Sequence, residues 1–167
     1  NELFRGGDYA GAVAEYDAGL KFENTALLRC NRAVSLRKMG RNEDALNDCR
    51  TALLLDSTYA KAALTGATVA CQLGLFTEAC SLYTTYLSLT PDPQPNVKGD
   101  LARAQQHASD IKKALDLQDT APERALACVR SAASEAPESV VVRCMEADIL
   151  VKCGRHQEAI QVCDRLS

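Results

Sequence analysis

The chain has 167 residues, 47% hydrophobic and 25% charged, with a formal net charge of -3 and a sequence pI near 5.4. This apolar share is enough for a sizeable core and excludes a mostly disordered chain, while the acidic balance lacks the basic excess of a nucleic-acid or anionic-membrane binder. No apolar run approaches the roughly 18 residues of a membrane span and no charged-then-apolar leader opens the chain, so the expectation is a cytoplasmic protein with no nucleic-acid or membrane partner.

Apolar residues recurring at helical spacing predict helices over 1–5, 9–21, 25–38, 43–55, 59–72, 76–89, 98–117, 122–135, 139–152 and 156–166. The first pair is broken at Gly6 and Gly7, the second at Gly40 and the third at Gly74. "TPDPQPN", residues 90–96, then ends the third pair, because three prolines in five positions cannot continue a helix. The expected organisation is therefore 1–90, a proline-rich connection over 91–97, and 98–167, whose opening helix is lengthened. Gly154 breaks the last pair. The first and last pairs read as incomplete, so the expected object is a fragment of a longer protein.

These pairs repeat. "GDYAGAVAEYDAGL" from Gly7, "GRNEDALNDCRTAL" from Gly40, "GLFTEACSLYTTYL" from Gly74 and "GRHQEAIQVCDRLS" from Gly154 each run glycine, four residues, alanine, three residues, then an aromatic residue or cysteine. Gly7 and Gly40 stand 33 positions apart, and Gly40 and Gly74 stand 34 apart. "TAPERALACVRSAASEAP" is a degenerate copy with Thr120 in place of the glycine. Alanines 12, 45, 79 and 159 would let paired helices approach closely, with Tyr9, Tyr16, Phe76 and Tyr83 filling the gaps. One pair cannot bury its own apolar face, but stacked pairs can. The predicted fold is all-α: a right-handed superhelix of antiparallel helix pairs, about five repeats, with a concave groove lined by the first helix of each pair.

Chemistry-bearing residues are sparse. None of the eight cysteines (30, 49, 71, 80, 128, 144, 153, 163) forms a CxxC, and His107 and His156 have no finger-like spacing to a cysteine pair. Most of the cysteines read as free thiols acting as small buried hydrophobes in a reducing compartment, with no metal and no cofactor expected. No phosphate-cradling loop or nucleophile pairing occurs, and Glu43, Asp44 and Glu78 sit where helix dipoles favour acids. The chain reads as a binding protein, not an enzyme.

The glycine, alanine, aromatic and proline pattern resembles the tetratricopeptide repeat family. "NELFRGGDYAGAVAEYDAGL", "CNRAVSLRKMGRNEDALNDC" and "LDSTYAKA" look like the repeats of chaperone-binding co-chaperones, and the continuation is similar to J-domain proteins and to plant thioredoxin-like proteins carrying such repeats. The resemblance implies a co-chaperone module that binds the acidic C-terminal tails of cytosolic heat-shock chaperones of the 70 and 90 kDa classes. In those members a clamp of lysine, asparagine, asparagine, lysine and arginine grips the tail's carboxylates. Carried over by position, the first lysine falls before Asn1, Asn1 and Asn31 match the asparagines and Lys61 the second lysine, but Thr65 stands where the arginine belongs.

Asn31 interrupts a stretch that alanine would propagate better by a few tenths of a kcal/mol. A groove-facing amide donating to a carboxylate is worth about 1.5 to 3 kcal/mol, which is the larger sum. Arg5, Arg37 and Lys38 are expected to add an electropositive rim, although Lys38 also suits a helix C-terminus. Arg32 points away and is expected to pack its stem or pair with an acid. Thr65 lacks arginine's bidentate charged fork, and Met145 and Asp148 occupy the corresponding places of the last repeat. The alternative reading is therefore a scaffold that binds another partner or a client polypeptide without reading a terminal carboxylate. The oligomeric state is left open.

Overall fold

The computed structural model describes residues 2–165. Ten helices and no strand occur among them: α1 (Glu2–Arg5), α2 (Tyr9–Phe22), α3 (Ala26–Lys38), α4 (Asn42–Leu55), α5 (Ala60–Gln72), α6 (Phe76–Leu89), α7 (Val97–Leu117), α8 (Pro122–Glu135), α9 (Val140–Lys152) and α10 (His156–Asp164). Every predicted helix is present. Two of the one-residue differences lie at capping residues: Thr25 and Ser139 precede α3 and α9 instead of opening them, each accepting from a backbone N–H three residues on, at 3.3 Å.

The turn glycines have a conformational reason. Gly7, Gly40, Gly74 and Gly154 have φ between 73° and 83°, and no other residue type adopts a positive φ among those described. At three of them the chain closes as a Schellman turn. Asp8 N donates to Leu3 O at 2.9 Å, Arg41 N to Leu36 O at 3.0 Å and Arg155 N to Leu150 O at 2.9 Å. Thr120 cannot take that conformation cheaply, and the turn there tightens instead: Ala121 N donates to Leu117 O, four residues back, at 2.8 Å.

The chain forms two compact units. The first takes in residues 2–70 and Glu78–Val97, the second Cys71–Thr77 and residues 98–165. In the first, small residues permit close helix packing: Ala12, Ala33, Ala45, Cys49, Ala62 and Ala79 are fully buried. A Cβ on Gly66 would lie 3.1 Å from Cys49 Cβ and 3.2 Å from Leu82 Cδ1, so α5 packs tightly there against α4 and α6. The proline-rich connection is tied back by Gln94 N donating to the Tyr86 hydroxyl at 3.4 Å. In the second unit, Leu126, Val129, Val142, Ile149, Leu150 and Phe76 form one apolar cluster. α7 has the expected extra length, 21 residues.

The cysteines are all free, but the expectation of burial holds only in part. Cys30 and Cys49 are buried, Cys144 and Cys163 are exposed, and the other four are intermediate. Burial is the main cause that raises the Cys30 thiol, and it pushes Cys49 up to about 12. Cys144 and Cys163 should therefore give the fast phase with a thiol-specific disulfide reagent at pH 8, and Cys30 and Cys49 should react only on unfolding. A double Cys144→Ser, Cys163→Ser variant that keeps the fast phase would refute this assignment.

Candidate functional site

The site lies in the first unit, on α3 and α5. α3 starts after the Thr25 cap and presents Leu27, Asn31, Val34 and Lys38 at intervals of three and four residues, one stripe of the helix. Leu27 is 54% exposed, Asn31 and Val34 are half-buried, and Lys38 is exposed. Lys61 lies in the first turn of α5 and is also exposed. Its Nζ donates to Asn31 Oδ1 at 2.9 Å. Side chains 30 residues apart thus meet on one surface. The pair leaves two ammonium N–H groups and the Asn31 amide NH2 able to donate, the donor set an incoming carboxylate needs.

Cys30, next to Asn31 in the chain, is buried. Burial raises its thiol, and the Lys61 charge and then the Thr65 hydroxyl lower it by less. Thr65 is half-buried one turn along α5 from Lys61.

The neighbouring arginines are engaged elsewhere. Arg32 Nε and Nη2 donate to Asp48 Oδ2 and Oδ1 at 2.6 and 2.7 Å, and Nη1 bonds Asp17. Arg29 Nη1 donates to Asp48 Oδ1 at 3.0 Å. The Asp48 carboxylate, with a side chain 1% exposed, is the chief cause that holds the Arg32 guanidinium above its ordinary range. Arg32 thus pairs with acids, as its place in the sequence suggests. Asp48 itself escapes a sequence reading focused on the groove. Its signal was an acid among the buried Ala45, Cys49 and Ala52, with two arginines three residues apart on the preceding helix.

The rim residues differ in placement. Arg37 is half-buried, its charge reaches the Cys49 thiol on α4, and its Nε is buried with no hydrogen-bond partner. Arg5 is exposed at the end of α1, and no hydrogen bond or ion pair joins it to the other candidates among the described residues. Asn1 lies outside the described residues. In the second unit Met145 is half-buried and Asp148 exposed on α9, beside Val140, Val141 and Val151, each more than half exposed. His107 packs against Phe76 with ring centres 5.1 Å apart, and its Nε2 lies 4.0 Å from Glu135. Among the described residues no group of three or more His, Cys, Asp or Glu is placed to hold a metal, and no helix is long and apolar enough to cross a membrane.

The second tetratricopeptide repeat domain of human RPAP3, solved with the HSP70 peptide SGPTIEEVD, is 33% identical to this chain, with a TM-score of 0.59 over 63% of the chain and 88% of that domain. This chain belongs to the tetratricopeptide repeat family. The same repeat fold covers 99% of the chain and 48% of the repeat domain of P58(IPK), with a TM-score of 0.86 at 21% identity. In sequence, the repeat-containing thioredoxin TTL4 of Arabidopsis thaliana is 42% identical over 65 residues, 38% of this chain. The chain spans only 10% of that relative's length. No protein-family model matches the sequence of this tetratricopeptide repeat chain.

Proposed function

We propose that the first unit is the tail-binding module of a cytosolic co-chaperone, gripping the C-terminal carboxylate of heat-shock chaperones of the 70 and 90 kDa classes through a partial clamp. The Lys61–Asn31 pair carries this reading, and Asn1 joins it by register. The likeness to a domain solved with an HSP70 peptide supports the ligand class. The chemistry is binding alone: an extended tail lies along α3, its terminal carboxylate accepts from Lys61 Nζ and Asn31 Nδ2, and Leu27 and Val34 take its apolar side chains. Lys38 supplies the positive rim.

Titration of the chain with SGPTIEEVD tests it. Amidating the terminal carboxyl, or the substitution Lys61→Ala, removes a charge-assisted bond of about 1.5 to 3 kcal/mol and should weaken binding by at least about tenfold. Affinity should also fall as salt rises. Unchanged affinity in both arms would reject the clamp. The scaffold reading has one observation in its favour: the exposed valines of α9 flank Asp148, a surface suited to an apolar or basic segment and repellent to a carboxylate.

A further inference from the structure

We infer that Lys21, at the end of α2, is an acceptor site for a small ubiquitin-like modifier: the conjugating enzyme that carries the modifier as a thioester reads Leu20, Lys21 and Glu23 as one extended segment, and Lys21 Nζ takes the acyl group. This goes beyond tail binding and does not depend on it.

The pattern is an apolar residue, a lysine, any residue, then an acid, and each part has a task in aminolysis of a thioester. The apolar side chain anchors the segment on the enzyme, the lysine supplies the nucleophile, and the acid pairs with enzyme cations to hold the amine at the reacting carbonyl. Only two lysines in the sequence have this context, Lys21 in LKFE and Lys98 in VKGD. The structure separates them. Val97 is 2% exposed and cannot be offered to an enzyme, Asp100 is paired with Arg103, and the whole tetrapeptide opens α7. Leu20 is half-buried, whereas Lys21 and Glu23 are exposed and their side chains make no hydrogen bond or ion pair among the described residues.

The backbone around Lys21 also extends at little cost. Glu23 has already left the helix, with φ −146° and ψ 122°. The turn before it is weakly held: Phe22 is 92% exposed, and the closing bond, Glu23 N to Gly19 O at 3.0 Å, ends on a glycine, a poor helix former. Fraying this one turn frees Leu20 and lets residues 20–23 run as a strand, in which Lys21 and Glu23 point the same way about 7 Å apart. In the transfer the neutral amine of Lys21 attacks the thioester carbonyl carbon. A C–N bond forms, the C–S bond breaks, and the proton that the amine loses ends on the departing cysteine sulfur of the enzyme.

The test incubates the full chain with the activating enzyme, the conjugating enzyme, a small ubiquitin-like modifier and ATP, and locates the adduct by mass and peptide mapping. One modifier per chain is expected, on Lys21. Lys21→Arg should abolish it, Lys98→Arg should leave its rate unchanged, and Glu23→Ala should slow it by at least about tenfold. Gly19→Ala, whose Cβ would meet only the Leu28 methyls at 3.5 and 3.7 Å, should keep the fold and slow the reaction about fivefold by stiffening the last turn. Absence of any adduct overturns the inference, as does an adduct that persists in Lys21→Arg. A rate indifferent to Glu23→Ala also overturns it, because Lys21 would then react only as an exposed amine, and a rate indifferent to Gly19→Ala overturns the fraying step.

Discussion

Gly74→Ala is expected to destabilise the chain by about 3 kcal/mol or more, against about 1 to 2 kcal/mol for Gly40→Ala, although both glycines occupy the same place in their repeats. The backbone term is shared: φ is +74° at Gly74 and +77° at Gly40, and a Cβ is strained at either. Only the surroundings differ. A Cβ on Gly40 meets nothing within 4 Å, whereas one on Gly74 would lie 2.5 Å from both Ser139 Oγ and Val142 Cγ2. Ser139 has no room to yield, since it is 2% exposed, donates to Leu73 O at 2.7 Å and accepts from Val142 N at 3.3 Å as the cap of α9. The alanine would therefore displace a helix cap, worth about 1 kcal/mol, and press on a buried valine. Urea unfolding of the two variants checks this, and equal costs would show that the crowding around Gly74 relaxes freely.

The second large effect belongs to Asp48. Asp48→Ala should cost about 3 to 5 kcal/mol, because its carboxylate accepts three bonds from Arg29 and Arg32, and removing it strands two partly buried guanidiniums. Asp17 is exposed and pairs with Arg32, so Asp17→Ala should cost about 1 kcal/mol or less. Thermal unfolding of both variants at low salt would separate them. An Asp48→Ala loss no larger than that of Asp17→Ala would mean that water reaches the arginines once the acid is gone. In unit two, Glu146 on α9 accepts from Arg130 on the preceding helix α8 and from Arg143 on α9 itself, so that acid joins neighbouring pairs where Asp48 joins the two helices of one pair.

These residues mark the boundary of what the sequence carries. The ten helices follow from local terms: apolar spacing, turn glycines, capping Thr25 and Ser139, and prolines at 91, 93 and 95. Those terms act within a few residues and survive without a partner, so element order and repeat phase were legible. The pairing of Asp48 was not, because its carboxylate meets arginines 16 and 19 positions earlier on another helix. Nor was the exposure of Cys144, which depends on which face of α9 finds a neighbour.

By itself, then, the sequence determined the helical repeats, the left-handed turns and the register that puts Asn31 and Lys61 at matching heights on adjacent first helices. The tertiary structure decided which charges remain free. Arg32 and Lys61 are both cations on groove-forming helices, yet a buried carboxylate from α4 claims the first, while the second meets only a neutral amide. A short-range rule can place a side chain on a helix, but its availability is set by the electrostatic competition of every element packed around it, and that exists only once the hairpins are folded together.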